Sequence, residues 1–376
     1  QYQARDEHAP QVIRSGLAGS IINAAGALTG QGFSPSSSVE QHNTLQQLAL
    51  ESRLKIPLLF GRDVIHGYRT IFPIPLAQAA TFDPSLAEQA AAIAAREATA
   101  EGVNWTFAPM LDIARDPRWG RVAEGNGEDP FLGAQMATAV VQVFQGNDLA
   151  APERIIACAK HYAGYGSAEG GRDYDGGEIS DPTLRDVYLP PFHAAVNAGI
   201  GSLMSAFIDL NGIPATANRY LLTDILRGEW GFDGFVVSDW ESIKELVEHG
   251  VAESEADAAG LALHAGVDMD MVSGVYLNHL AQQLSIGKVS LAEIDKAVLR
   301  ILRIKARAGL FEHPFTDPKR ASRDLLTPQA RLLARQIANR SMVLLKNHQN
   351  LLPLEGVKRI LIAGDFINAR DELFGT

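Results

Sequence analysis

Residues 234–241 read Gly234-Phe235-Val236-Val237-Ser238-Asp239-Trp240-Glu241. Three consecutive apolar residues indicate a short strand that is buried on both faces, because such a strand shows no polar alternation. The strand ends on a serine, a carboxylate and an indole, and barrel enzymes place their reactive groups at the C-terminal ends of parallel strands. Asp239 is therefore the first candidate for chemistry. Its alternative role is to cap a helix that would begin at Glu241.

Similar buried runs that end in polar residues recur along the chain. We predict strands at 17–23, 56–61, 105–109, 155–160, 202–207, 234–237 and 267–271, separated by helices at about 38–53, 86–101, 133–144, 184–198, 221–229 and 255–264. This alternation indicates parallel strands joined by helical crossovers, as in a barrel or a doubly wound sheet. No Gly-x-Gly-x-x-Gly fingerprint opens a helix, and the length suits a barrel of about 250 residues with long loops. We therefore predict an α/β fold with a (β/α)8-type, TIM-like barrel.

The pattern changes at about residue 311, where turn residues replace the regular alternation. We predict a barrel over 1–310, a linker and a helix over 311–357, and the beginning of an α/β sandwich domain over 358–376. The first strand of that second domain is expected at 359–365, and the helix before it at 328–342.

Composition excludes several functions. The net charge is −11 and no basic patch offsets it, which argues against nucleic acid or an anionic membrane surface as a partner. The single cysteine, Cys158, lies in an apolar run and is expected to be a buried, inert thiol. The sequence has no His-Glu-x-x-His motif and no P-loop, so we expect neither a zinc centre nor any other cofactor.

Residues at four predicted strand ends should meet at one face of the barrel. They are Asp63, Lys160, His161, Met204, Asp239 and Trp240. Carboxylate, cation, imidazole and indole together suit a polyhydroxylated ring, whose hydroxyls need polar partners and whose C–H faces need an aromatic wall. Each residue also has a plainer explanation, with Lys160 as an ion-pair partner, His161 as a core histidine and Met204 as core packing. The glycine-rich loop 164–178 is expected either at the rim of the site or as an ordinary surface excursion.

Five motifs resemble those of the family-three glycoside hydrolases, the β-glucosidase group, over nearly the whole chain. They are Gly61-Arg62-Asp63-Val64-Ile65-His66-Gly67, Arg115-Asp116-Pro117-Arg118-Trp119-Gly120-Arg121, Lys160-His161-Tyr162-Ala163, Gly231-Phe232-Asp233-Gly234-Phe235-Val236-Val237-Ser238-Asp239-Trp240 and Val343-Leu344-Leu345-Lys346-Asn347. The resemblance implies that Asp239 is the nucleophile. It also implies a set of residues that bind the non-reducing sugar, namely Asp63, Arg121, Lys160, His161, Met204 and Trp240.

The resemblance implies a retaining, exo-acting β-glucosidase that forms a glycosyl-aspartate intermediate on a small β-glucoside or an oligosaccharide. Such an enzyme also needs an acid, with the two carboxyl groups about 5–5.5 Å apart. In this family the acid/base is usually a glutamate of the second domain, which we expect beyond residue 376, and the first part of the barrel is expected ahead of Gln1. We expect Lys160, Arg121 or His161 to lower the pKa of Asp239.

Several alternatives remain open at this point. A β-xylosidase of the same family has nearly the same pocket motifs. A barrel aldolase would use Lys160 as a Schiff-base nucleophile, and a non-catalytic carbohydrate-binding module would need no acid. The related β-N-acetylglucosaminidases carry a loop histidine that is absent here, since the corresponding run is Gly164-Tyr165-Gly166. We expect a periplasmic or secreted protein.

Overall fold

The computed structural model describes residues 1–3, 8–23 and 35–369. The strands in these ranges are β1 (Tyr2–Gln3), β2 (Ser20–Ile22), β3 (Leu59–Arg62), β4 (Trp105–Thr106), β5 (Ile156–Tyr162), β6 (Ser202–Ser205), β7 (Asp209–Leu210), β8 (Ile213–Pro214) and β9 (Phe235–Val237). The α-helices in the same ranges are α1 (Ala9–Arg14), α2 (Pro35–Glu51), α3 (Pro75–Ala79), α4 (Pro84–Ala100), α5 (Pro130–Gln145), α6 (Asp181–Thr183), α7 (Pro190–Asn197), α8 (Glu245–Glu248), α9 (Glu255–Ala265), α10 (Val275–Ser285), α11 (Leu291–Arg307), α12 (Lys319–Asp324) and α13 (Pro328–Arg340). A π-helix, Tyr220–Glu229, precedes β9.

The main sheet is parallel throughout and has the strand order β1-β2-β3-β4-β5-β6-β9. β7 and β8 form a separate antiparallel hairpin. The edges of the main sheet approach each other around a short segment after β9. There Met269 forms a parallel bridge with Val237, and the backbone nitrogen of Gln1 donates to the carbonyl of Asp270 at 2.8 Å. This arrangement confirms the predicted TIM-like barrel architecture.

The strand predicted at 267–271 is reduced to the single Val237–Met269 bridge. The cause lies in Asp268, whose Oδ2 accepts a hydrogen bond from the backbone nitrogen of Val236 at 2.8 Å. A side-chain oxygen therefore takes a donor that a regular ladder would use. The long helices α10 and α11 were not among the predicted elements, although Ser290 and Glu293 form a capping box at the start of α11.

The C-terminal region differs most from the prediction. The strand expected at 359–365 is absent from the described residues, and Leu361 is 91% exposed. A strand needs a hydrogen-bonding neighbour, and the described chain supplies none there. Upstream, α12 and α13 pack against α4, so most of the predicted linker is fixed to the barrel. The domain boundaries themselves stay predictions.

Large apolar residues fill the centre of the barrel, including Trp105, Phe107, Met204 and Phe235. Gly61 in β3 must be a glycine, because a Cβ there would lie 2.7 Å from Cζ of Phe107. Cys158 in β5 is fully buried, as predicted, and burial raises the pKa of its thiol to about 12, which disfavours the reactive thiolate. No helix in the described ranges is both long enough and apolar enough to cross a membrane.

Candidate active site

The site lies where three parallel strands end. Asp63 directly follows β3, Lys160 and His161 belong to the last part of β5, and Asp239 is the second residue after β9. Because all three strands run in the same direction, their C-terminal ends meet at one edge of the sheet. The predicted convergence of these side chains is visible in direct contacts between them.

Asp239 is the carboxylate at the centre of this group and is 7% exposed. Its Oδ1 accepts a hydrogen bond from the backbone nitrogen of Trp240 at 2.7 Å. Its Oδ2 is buried without a hydrogen-bond partner in the described part of the chain, and Nε2 of His161 lies 3.4 Å away. Residues 241–244 form turns, and α8 begins only at Glu245, so Asp239 does not cap a helix at Glu241 as the alternative required.

The protonation of Asp239 differs from the expectation. Burial raises the pKa of Asp239 to about 7, although Lys160, the backbone N–H of Trp240 and Arg121 act in the opposite direction. Lys160 and Arg121 thus act in the expected direction and His161 does not, but the net shift is upward because removal from water disfavours the carboxylate more strongly than the nearby cations favour it. His161 contributes no positive charge, since burial, Arg121 and Lys160 hold the pKa of its imidazole well below the usual value.

Lys160 and Asp63 form a close ion pair, with Nζ 2.6 Å from Oδ1 of Asp63. The lysine side chain is 6% exposed and the aspartate side chain is 20% exposed. Burial opposes a charge on Lys160, but Asp63 and Glu124 raise the pKa of the lysine above its ordinary value. Lys160 is thus an ammonium ion held by a carboxylate, which argues against a Schiff-base lysine, because that chemistry needs a free amine.

Arg121 is held by a carboxylate that sequence reasoning missed. Its Nε lies 2.7 Å from Oε1 of Glu124, and one terminal nitrogen lies 3.0 Å from Oε2. The guanidinium carbon also lies 5.4 Å from the centre of the Tyr165 ring. This fork-to-fork pairing fixes the plane of the guanidinium. The spacing of three residues between Arg121 and Glu124 was the available signal.

Asp112 is a second carboxylate that sequence reasoning missed. Its Oδ2 accepts the backbone N–H of His161 at 2.9 Å and lies 2.8 Å from Nδ1 of the same residue. The side chain of Asp112 is fully buried. A carboxylate inside the apolar run Met110-Leu111-Asp112-Ile113 was the available signal, because a buried charge needs a partner.

Met204 and Trp240 occupy different environments. Met204 is 2% exposed and packs in the barrel centre with Trp105 and Phe235. This position agrees with the plainer explanation of core packing, and a sugar contact for Met204 stays a prediction. Trp240 is 38% exposed, next to Asp239.

The loop 164–178 borders the site. Tyr165 packs edge-on against His161, with their ring centres 5.1 Å apart, and against Trp119 at the same separation. Asp173 accepts a hydrogen bond from Nε1 of Trp119 at 2.9 Å. These contacts favour the rim position over an ordinary surface excursion.

A buried carboxylate thus lies beside a lysine–aspartate pair at the C-terminal edge of a parallel barrel. Barrel enzymes place their reactive groups at this face, so the fold and the site are those of a barrel enzyme. The profile of the Glycosyl hydrolase family 3 N terminal domain matches residues 2–304, and the chain belongs to this family.

Relatives and solved structures agree with this assignment. A periplasmic beta-glucosidase of Salmonella typhimurium is 40% identical over 371 residues, which are 97% of this chain and 47% of the relative. A beta-xylosidase of Formosa agariphila is 39% identical over 355 residues, which are 87% of this chain and 48% of the relative. A beta-glucosidase from Listeria innocua, solved in complex with isofagomine, is 42% identical, with a TM-score of 0.85 over 90% of this chain and 47% of that one. The chain thus spans about half the length of the curated relatives it matches.

Proposed function

We propose that this protein is a retaining, exo-acting β-glucosidase that releases terminal non-reducing β-D-glucosyl residues, with Asp239 as the nucleophile. The observation that carries the proposal is the buried Oδ2 of Asp239, which has no hydrogen-bond partner in the described residues and lies beside His161. Support for the substrate class comes from the Listeria innocua beta-glucosidase, which was solved in complex with glucose and, as a mutant, with laminaribiose.

In the proposed reaction the ionised Asp239 attacks the anomeric carbon of the terminal sugar, and an ester bond forms as the glycosidic bond breaks. Water then cleaves the ester and restores the carboxylate. Lys160 and Arg121 each carry a positive charge near Asp239 and favour its ionised form. The reaction needs no cofactor.

The proposed sugar contacts are the polar groups that surround Asp239. We assign hydroxyl binding to Asp63, Lys160, His161 and Arg121, which are held as two ion pairs and a hydrogen-bonded imidazole. The indole of Trp240 would form a wall of the pocket, with Met204 beneath the sugar. Burial of this polar set favours a ligand that offers many hydroxyl groups.

The proposed reaction also needs an acid/base that protonates the leaving oxygen. Asp63 and Glu124 are ion-paired with Lys160 and Arg121, which disfavours a proton on either carboxylate, and Oδ2 of Asp112 is held by His161. We propose that a glutamate beyond residue 376 protonates the leaving oxygen, as the family resemblance implies.

A β-xylosidase is the second candidate, because the Formosa agariphila relative with that name is 39% identical. The ratio of kcat/KM for 4-nitrophenyl β-D-glucoside and β-D-xyloside decides between the two, and we expect it to favour the glucoside. A periplasmic location is proposed as well, and it is supported by the name of the Salmonella typhimurium relative.

The decisive experiment traps the intermediate in the full-length protein. A 2-deoxy-2-fluoro-β-glucosyl fluoride should label the peptide that contains Asp239, and Asp239→Asn should abolish both labelling and turnover. Asp233→Asn is the matched control, because Asp233 is exposed and lies before the same strand. A label on another residue, or more than a few per cent of the original rate in a verified Asp239→Asn protein, would contradict the assignment.

The same sample also tests the aldolase alternative. Borohydride reduction in the presence of a carbonyl substrate should leave Lys160 unmodified, because Asp63 holds the lysine as an ammonium ion.

A further inference from the structure

Asp112 controls which nitrogen of His161 carries the hydrogen. Its Oδ2 accepts the backbone N–H of His161 at 2.9 Å, so this oxygen faces the histidine as an acceptor. Nδ1 of the ring lies 2.8 Å from the same oxygen. In a neutral imidazole one nitrogen donates and the other accepts, and the hydrogen bond made by one nitrogen sets the state of the other. Nδ1 therefore carries the hydrogen and Nε2 presents a lone pair.

The lone pair of Nε2 faces the reacting centre, because Nε2 lies 3.4 Å from Oδ2 of Asp239. In the opposite tautomer, Nε2–H would donate to this oxygen. That hydrogen bond would stabilise the carboxylate, lower its pKa and reduce its reactivity as a nucleophile. The Nδ1–H tautomer instead agrees with Oδ2 of Asp239, which has no hydrogen-bond donor in the described chain.

We propose that Asp112 is a positioning residue that fixes the Nδ1–H tautomer of His161, so that Nε2 accepts a hydrogen bond from a substrate hydroxyl while the attacking oxygen of Asp239 stays free. This inference rests on the proposed function. It adds a residue that touches neither the sugar nor the reacting atoms.

A test of this role must leave the other charges around Asp239 and Asp112 unchanged. Lys160, Arg121 and Asp63 act on Asp239, whereas Arg121, Glu124 and Lys160 act on Asp112. Substitutions at Asp112 alter none of these four residues. Asp116 offers a control on the same loop, since it is an aspartate whose side-chain partner is Arg118.

Two variants of Asp112 separate its effect on the tautomer of His161 from the effect of its negative charge. In Asp112→Asn the backbone N–H of His161 requires the amide oxygen at the position of Oδ2, so that oxygen still accepts from Nδ1 and the tautomer is retained. In Asp112→Leu a side chain of similar size has no acceptor, and the Nε2–H tautomer becomes accessible. We expect kcat/KM within about threefold of wild type for the asparagine variant and a loss of about tenfold or more for the leucine variant, chiefly in kcat.

The leucine variant should also show a shifted pH profile. Once Nε2–H donates to Asp239, the acidic limb of kcat/KM should move to lower pH, whereas Asp112→Asn, Asp116→Asn and Asp116→Leu should leave the limb in place. Melting temperatures identify any variant that is merely unfolded.

Nitrogen-15 NMR of histidine-labelled full-length protein reads the tautomer without any substrate. We expect a protonated Nδ1 and a bare Nε2 for His161 in wild type and in Asp112→Asn. A protonated Nε2 in wild type would overturn the role of Asp112, as would wild-type kinetics in a folded Asp112→Leu protein. A wild-type protein that hydrolyses no β-glucoside would contradict the proposed function instead, and the NMR result would still decide the tautomer.

Discussion

Asp239 couples the proposed chemistry to the stability of the protein. Its pKa is raised from 3.8 to about 7, so the folded protein holds a proton that the unfolded chain has lost between these pH values. The folded state binds more protons in this window, and stability therefore falls as the pH rises from about 4 to about 7. Below pH 4 both states are protonated, and above pH 7 both are ionised, so the contribution is constant outside the window.

Asp239→Asn removes this titration and keeps the shape of the neutral acid. We expect the variant to become more stable than wild type as the pH rises from 4 to 8, by on the order of 2–4 kcal/mol in the free energy of unfolding. Urea titrations of both proteins at several pH values measure the difference. Burial also raises the pKa of Asp112 to about 7, but this titration is common to both proteins and largely cancels. A difference that stays flat across this range would show that the carboxyl group of Asp239 is not destabilised by burial.

The rim loop acts at the scale of an element, through its backbone. A Cβ on Gly166 would lie 2.2 Å from the carbonyl oxygen of Ile113, so only glycine permits the loop to pack here. The preceding residue, Tyr165, contacts both Arg121 and His161. Displacement of the loop therefore displaces an aromatic ring that borders two proposed sugar contacts.

Gly166→Ala should thus lower kcat/KM by about tenfold or more and also reduce the melting temperature, because backbone atoms must move. Gly176→Ala is the matched control in the same loop, since its Cβ would meet no atom closer than 3.6 Å. We expect the control to remain close to wild type in both measurements. Equal activities of the two variants would show that the packing of the loop at Ile113 does not position the site.

The regular elements were predictable where the local pattern agrees with the tertiary structure. The helix after Asp83 is an example, because the aspartate accepts the Ser85 backbone N–H and Pro84 occupies the first turn. The segment 267–271 was not predictable as irregular, because the interaction of Asp268 with Val236 is a long-range contact. The segment 359–365 has the composition of a strand but no neighbour in the described chain. Strand formation depends on partners that local sequence does not contain.

In the candidate site, too, the residues with a local sequence signal were predicted and those that depend on long-range contacts were not. Asp63, Lys160, His161 and Asp239 were predicted because each lies at the end of an apolar run that reads as a strand. Asp112 and Glu124 lie outside the strands, and their importance arises only from the side chains they hold. The raised pKa of Asp239 required knowledge of burial, whereas its charged neighbours were evident from the motifs.

At the scale of the whole molecule, α11 connects the last strand of the barrel to the first ones. The helix packs against β9, and its residue Lys305 contacts the segments that precede β2 and β3. Nζ of Lys305 donates to the carbonyls of Gly19 and Pro57 at 2.7 Å each, just ahead of β2 and β3. The side chain is 1% exposed, and burial lowers the pKa of the ammonium group to about 7. The neutral amine thus suits this position.

The sign of the pH effect follows from that shift. The unfolded chain binds a proton at Lys305 up to about pH 10.5, whereas the folded protein releases it near pH 7. Because the unfolded state binds more protons in this window, the contribution of Lys305 to stability increases as the pH rises from about 7 to about 10. This direction is opposite to that of Asp239, and it occupies a separate range of pH.

Lys305→Met should therefore destabilise the protein most at alkaline pH. At pH 9.5 the variant leaves two buried carbonyls unpaired, and we expect a loss of on the order of 2–4 kcal/mol in the free energy of unfolding. The loss should shrink towards pH 7, where the wild-type protein begins to carry a buried charge that methionine lacks. Lys296→Met, on the exposed side of the same helix, is the control and should have little effect on stability. A constant loss across this range would mean that Lys305 stays charged in the fold, and that α11 holds the barrel ends by charge rather than by neutral hydrogen bonds.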